Sequence, residues 1–297
     1  MTGLWNLIKR NCKLFFKDKG MFFSSLITPV ILLVLYATFL ASVYRDSFAS
    51  AMPEGFSIDA SLIDATVAAQ LISSLLAVSC VTVAFCSNLL IVQDKITGAR
   101  RDITVSPVKR STLAVSYFCA SAATTLIISF AALAVCLVYL ANAGWYMSCA
   151  DVLCFALDVV LVTLFGVALS SCVNFPLTTQ GQMSAVGTIV SAGYGFLCGA
   201  YMPISNFSEG LQKVMSFLPG TYGTSLIRNH ALAGVYLEMS RVGFPDEVVE
   251  MIKDSIDCNL YFFGTKVEIG TMYIIMAATV AVLVAVYVTL NICFKKR

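Results

Sequence analysis

Long uncharged apolar runs alternate with short polar segments along the chain, and their lengths predict membrane helices. Crossing ~30 Å of hydrocarbon at 1.5 Å per residue takes about 20 apolar residues. Met21 to Tyr44 and Ala65 to Val92 carry no charge, and each predicts one span. Ser111 to Ala150 is also uncharged, too long for one helix and too short for two. The small-residue turn Ala141-Asn142-Ala143-Gly144, followed by Trp145 and Tyr146, divides it into a third span over 112–140 and a fourth over 150–173. After the tight loop Asn174-Phe175-Pro176 a fifth span runs over 183–201, and a sixth over 269–294 ends at Lys295-Lys296-Arg297. The expected fold is an all-α integral membrane domain of six transmembrane helices.

Composition points to the same solvent. The chain is 59% apolar and 12% charged, about half the ~25% charge of an average soluble domain. That is too little charge to cover a soluble globule. A net charge of +2 also excludes a protein that coats nucleic acid, so no nucleic-acid partner is expected. Disorder, collagen and long coiled coils are excluded with it.

Where the few charges fall sets the orientation. With the N-terminus inside, the cytoplasmic side collects Lys9, Arg10, Lys13, Lys17, Lys19, Lys95, Arg100, Arg101, Lys109, Arg110, Lys295, Lys296 and Arg297, thirteen of nineteen basic residues. Both termini are therefore expected in the cytoplasm. A cleaved signal peptide ending near Leu40-Ala41-Ser42 is the rival reading. The apolar run exceeds the usual 7–15 residues of such a peptide, and a whole basic helix precedes it.

The segments outside the spans carry the remaining information. On a helical wheel, residues 4–19 place Leu4, Trp5, Leu7, Ile8, Cys12, Leu14, Phe15 and Phe16 on one face, with Lys9, Arg10, Lys13 and Lys17 opposite. That pattern predicts an interfacial helix, serving either as a topology anchor or as a docking element. Between spans two and three, Gln93 to Arg110 predicts a short helix ended near Val105 by Ser106-Pro107. Its charges read as positive-inside signals or as a docking surface. The long loop 202–268 holds two moderately apolar segments, 203–218 and 221–236, around Pro219-Gly220, which predicts a helical hairpin dipping into the outer leaflet. Pro245-Asp246-Glu247 then opens a surface helix whose Val248, Ile252 and Ile256 face the hairpin.

Taken together these segments resemble the membrane subunits of ABC-2 type exporters. The resemblance rests on the helix before span one, on Asp94 to Gly98 with Ser106-Pro107-Val108-Lys109-Arg110, and on Met202-Pro203, Leu218-Pro219-Gly220-Thr221-Tyr222 and Arg228. It covers essentially the whole chain as one transmembrane domain. Residues 1–20 would be the interfacial helix, 21–201 spans one to five, 202–268 the outer hairpin and surface helix, and 269–297 span six with its basic tail. Lys95 departs from the family, which usually carries an acid there.

The resemblance implies a coupling helix for a separate ATPase, with Asp94, Lys95, Gly98, Arg100, Arg101, Ser106 and Pro107 as its residues and Lys9, Arg10, Lys13 and Lys17 alongside. It implies an outer gate at Pro219, Gly220 and Tyr222. It further implies a homodimer or heterodimer served by two copies of the ATPase, in the plasma membrane of a bacterium. No G-x-x-x-x-G-K-[ST] phosphate loop occurs in the sequence. ATP and Mg would then sit on the partner, and this chain would bind no cofactor and catalyse no reaction.

Individual polar residues sharpen the expectations. Asp158 is the one acid deep in a predicted span, either a pathway or proton-coupling group or an acid reaching interfacial water. His230, the single histidine, has no second histidine to share a metal and is expected to pack. Most of the eleven cysteines lie in spans as small apolar groups, with Cys149, Cys154 and Cys258 nearest the outer side and able to form a bridge. Asn206-Phe207-Ser208 fits a glycosylation sequon. Ser191, Gly195 and Gly199 recur at four-residue spacing, which serves packing within the subunit or, as the resemblance implies, a dimer seam. The expected function is the permease of an ATP-driven exporter of an amphipathic substrate: a drug, a lipid-linked molecule or a peptide. The rivals are an ion-gradient-driven transporter, which calls for repeated halves and several intramembrane charges, and an intramembrane enzyme.

Overall fold

The computed structural model describes residues 2–42, 45 and 59–293. The end of the first predicted span and Lys295-Lys296-Arg297 lie outside the described residues. Helix α1 (Thr2–Lys17) meets α2 (Lys19–Leu35) at an angle of 72°. Asp18 makes the corner: its carboxylate accepts from the Met21 amide at 3.1 Å and so caps α2. Helix α2 contains Pro29 and continues through a π turn at Tyr36–Leu40.

Helix α3 (Ala60–Asn88) is the axis of the fold. Its residues from Ala65 to Phe85 are almost all buried, because α2, α6, α7, α8 and α10 surround it. Its many Ala and Ser side chains are small enough to let helices approach from every side. The chain then breaks at Leu89 into α4 (Leu90–Ile96) and turns at Gly98. The Gly98 φ of 85° is a left-handed value that a side chain would oppose. Helix α5 (Ala99–Val105) follows, ended by Ser106-Pro107.

Helix α6 (Arg110–Ala143), at 34 residues, is about 51 Å long and overreaches the hydrocarbon at its ends. Helices α7 (Cys149–Asn174) and α8 (Gln180–Leu197) each open on a reciprocal cap, Ser148 with Asp151 and Thr179 with Gln182. A 3₁₀ turn (Ile204–Asn206), α9 (Glu209–Ser216), α10 (Pro219–Val242) and α11 (Asp246–Ser255) lead to an antiparallel pair, β1 (Leu260–Phe262) and β2 (Thr265–Val267). Helix α12 (Ile269–Cys293) closes the chain, largely exposed along its length.

The fold is mostly helical, and among the described residues four helices are long and apolar enough to cross a membrane: 60–96, 110–143, 149–174 and 269–293. The bent pair α1 and α2 makes a fifth if counted as one span. The six spans expected from the sequence are thus not all met by length and composition. The fifth predicted span is α8, 18 residues opening on Gln180 and Gln182, and it falls short on polarity.

Two further expectations change. The loop 202–268 is not wholly helical, since β1 and β2 pair Leu260 with Val267. Pro219 and Gly220 do not separate two equal arms; they open α10, a proline in the first turn of a 24-residue helix. Val248, Ile252 and Ile256 rest on the core, as the sequence pattern predicts, and α11 also buries Val249, which that pattern did not single out.

Helix α10 lies close to the α6–α7 connection at Gly234, where an added Cβ would stand 2.0 Å from the Tyr146 carbonyl oxygen. Gly234→Ala is expected to destabilise by about 1–3 kcal/mol through overpacking, whereas Gly210→Ala, with open space around it, should be near neutral. Thermal melts in lipid nanodiscs read the difference.

Glu250 of α11 ties down the β-hairpin. It accepts from Lys253 at 2.7 Å, Lys266 at 2.9 Å and Asn259 at 3.0 Å. The two ammonium groups hold its carboxyl down to about 2 from an ordinary 4.5. A depressed carboxyl stabilises fully above its unfolded value and loses that contribution as the pH falls toward the folded one. Hydrogen exchange of residues 260–267, corrected for intrinsic rate, should therefore accelerate from pH 5 to pH 3, and Glu250→Gln should flatten that change.

Candidate functional site

Three helices meet at the basic end of the bundle around Asp94, which is 4% exposed. Arg10 of α1 reaches it with two guanidinium nitrogens, Nη1 at 2.7 Å from Oδ2 and Nη2 at 3.2 Å from Oδ1. Tyr117 of α6 donates its hydroxyl to Oδ2 at 2.5 Å. A forked pair of this kind fixes direction as well as distance. One residue on, Lys95 points the other way and donates to the carbonyls of Phe175 at 2.5 Å and Leu177 at 3.0 Å. Its ammonium sits at the negative end of α7, where a cation is favoured, and over the Phe175 ring at 5.6 Å. Arg100 donates to Asn291 of α12 at 3.2 Å. The short helix α5 between these anchors buries none of its own residues. Arg101, Asp102, Ser106 and Pro107 are exposed, and Val105 is 83% exposed.

A second polar cluster lies within the bundle. Asp158 of α7 is fully buried. Its Oδ2 is 2.6 Å from His230 Nδ1 of α10, and its Oδ1 accepts from the Tyr273 hydroxyl of α12. Three helices are joined through one carboxylate, which is how an acid is tolerated in hydrocarbon.

A third cluster lies beside the second, since Arg228 stands two residues before His230 on α10. Arg228 of α10, 1% exposed, donates to the carbonyls of Ile256 at 2.5 Å and Gly199 at 3.0 Å and to Ser74 Oγ at 3.2 Å. It pairs with Asp257 at 3.6 Å. Burial pushes the Asp257 carboxyl up, against the pull of Arg228. Asp257 also accepts from the Ile204 amide at 2.8 Å, so the two loops flanking α10 are pinned to it.

The ABC-2 type transporter family model matches residues 2–231, the span that contains α1 to α9 and most of α10. The chain belongs to the ABC-2 type transporter family. No curated protein matches it significantly. Membership makes the chain an ABC-type transport subunit and a membrane protein. Among the described residues no group of three or more His, Cys, Asp or Glu side chains could hold a metal ion.

Against this ABC-2 frame the expected coupling residues divide. Asp94, Lys95 and Arg100 turn inward as ties, Gly98 makes the turn, and Arg101, Ser106 and Pro107 face solvent. Arg10 leaves the basic arc it shares with Lys9, Lys13 and Lys17 to reach Asp94, while those three lysines stay exposed. The opposite face of α1 does not rest on lipid alone, since Asn11 and Phe15 are buried against the bundle. Trp5, 66% exposed, keeps the interfacial character.

At the start of α10 Gly220 is buried beneath Tyr194, whose hydroxyl a Cβ would approach to 2.7 Å, and Tyr222 donates to the Ser216 carbonyl at 2.5 Å. Gly195 lies under the Tyr201 ring and Gly199 forms a turn against Ile204, both within this chain; Ser191 is half-buried on α8. All eleven cysteines are free thiols, and Cys258 packs its Sγ at 3.1 Å from the Tyr236 hydroxyl instead of bridging.

Sequence reasoning missed the partner of Asp158 and gave His230 to packing. The two are 72 positions apart, and the signal available was the pairing of the sole histidine with the sole deeply placed acid.

Removing Arg10 leaves Asp94 buried with Tyr117, whereas removing the Asp94 charge leaves a guanidinium that is 31% exposed and can turn to water. Arg10→Ala is therefore expected to cost about 3–5 kcal/mol and Asp94→Asn clearly less, as ranked by thermal melts of the two variants in nanodiscs.

Proposed function

We propose that this ABC-2 subunit is the permease of an ATP-driven exporter, working as a dimer with two copies of a separate ATPase docked at the basic end. The observation that carries the reading is an exposed helix, α5, held by side-chain ties to three different parts of the bundle. Asp94 links its approach to α1 and α6, Lys95 to the end of α7, and Arg100 to α12. A push on the exposed face of α5 would reach all of these together. ATP and Mg would be held and spent by the partner.

In the full reading the chain crosses the plasma membrane of a bacterium six times with both termini cytoplasmic, α2 and α8 supplying the first and fifth spans. Helix α2 exposes Phe23, Ile27, Val30, Ile31 and Val34, and α8 exposes Ile189 and Phe196. Those rows suit a dimer seam better than Gly195 and Gly199, which face inward. The Pro219, Gly220 and Tyr222 region, pinned by Arg228, would form the outer gate. Tilting of the spans by the motor would release it and let an amphipathic drug, lipid-linked molecule or peptide leave the cell.

A second reading has one observation in its favour, the buried Asp158–His230 pair, a group set able to carry a proton. Transport by the purified chain alone down a proton gradient would establish a secondary transporter and remove the ATPase from the scheme.

Arg101 is exposed and makes no tie to the bundle among the described contacts, so its reversal probes docking without disturbing the fold. Arg101→Glu is expected to weaken co-purification with a tagged ATPase at least about tenfold, about 1.4 kcal/mol, with an unchanged melting temperature. Unaltered co-purification would return Arg101 to a topology signal.

A further inference from the structure

Beside the Arg10–Asp94 pair, between α1, α3 and α6, lies a cavity of about 10 Å³ lined by Asn11, Asn88, Ser121 and the Tyr117 ring among others. Two of the residues that line it carry a buried polar atom with no partner among the described residues, Asn11 Nδ2 and Asn88 Oδ1, on side chains each 1% exposed. The orientation of both amides is set by their other ends. Asn11 Oδ1 accepts from Arg10 Nη1 at 2.8 Å, so its NH₂ group is the free end. Asn88 Nδ2 donates to Ser171 Oγ at 2.7 Å and Ser170 Oγ at 2.9 Å, so its oxygen is the free end. The residues around the cavity thus hold one unused donor and one unused acceptor. Leaving either bare in an apolar interior carries the full desolvation penalty of that group.

We propose that this cavity is a binding site for a single ordered water, which accepts from Asn11 Nδ2 and donates to Asn88 Oδ1. Ser121 Oγ, which gives its own hydrogen to Ser87 at 3.2 Å, is the third partner and accepts the second water hydrogen. Three polar partners are the usual number for a buried water, and about 10–15 Å³ of probe-occupied space is the least that holds one. The size excludes anything larger. A metal cation is excluded by charge, because the Asn11 wall offers hydrogens rather than a lone pair.

With the water in place the polar ties become continuous. They run from Asp94 through Arg10 and Asn11 to the water, and on through Asn88 to Ser170 and Ser171 of α7. The water is then a joint between the N-terminal helix and the axis of the fold. This functional sense rests on the coupling role proposed for α5, but the site itself does not.

The test is a map of the full chain in lipid nanodiscs at a resolution that shows ordered water, with Asn11→Leu, Asn88→Leu and the double variant followed by thermal melting. The expected result is one density peak between the two amides, a drop of several degrees for each single variant, and a double variant less destabilised than the sum. An empty space between the amides, a direct amide–amide bond, or additive melts would overturn the proposal. If the leucine variants fail to fold, Asn11→Ser and the wild-type map still decide it. A peak with coupled melts would stand even if the ATPase failed to bind α5, so failure of the transport reading would be seen separately by co-purification.

Discussion

Asp94, Asp158 and Arg228 are ionisable groups buried in a chain whose solvent is largely hydrocarbon, and each survives because partners reach it from other helices and loops of the chain. Water is not at hand there to satisfy a stray charge, so the cost of leaving one alone is several kcal/mol. Helix packing is constrained accordingly. Apolar side chains slide past one another at little cost, whereas a carboxylate held by a guanidinium fork and a phenol admits few arrangements. The register of α1 on α6, of α10 on α7 and α12, and of the two loops around α10 all follow from these few contacts.

The clusters sit at two levels of the bundle, Asp94 at the basic end and the Asp158 and Arg228 groups together on two sides of α10, since Arg228 and His230 are two residues apart on that helix. Between them the contacts are mainly small or apolar, Ala and Ser of α3 against its neighbours. Such an arrangement is stiff where helices are tied and smooth where they are not. For the coupled transport proposed above this matters, since movement at one end would have to reach the other through helices that keep their identity while shifting against each other.

Much of this was legible in advance because bilayer thickness sets helix length. The uncharged runs located α6, α7 and α12 to within a few residues, and Ser106-Pro107 located the end of α5, whereas the break at Gly98 into two short helices, α4 and α5, was not foreseen. Side-chain partners across the bundle were not legible. Nothing local to Asp158 announces His230, and nothing local to Lys95 announces the carbonyl end of α7, because both pairings are created by packing. Helix α8 shows the other limit: its glutamines and serines dilute the apolar signal, so sequence and length alone leave its status as a span open. The β1–β2 pair was missed because three-residue strands carry too little periodicity to register.

The 72° elbow at Asp18 makes α1 an arm set across α2. At 16 residues the arm is about 24 Å long. The corner is stiff, since Asp18 caps α2 with one oxygen and accepts from Gln93 at 3.2 Å with the other. Raising the arm at its tip by ~2 Å would turn it by about 5°, and a rigid corner passes that rotation to α2 as torque. The first membrane helix would then be swung by leverage from a helix that never has to enter the bilayer.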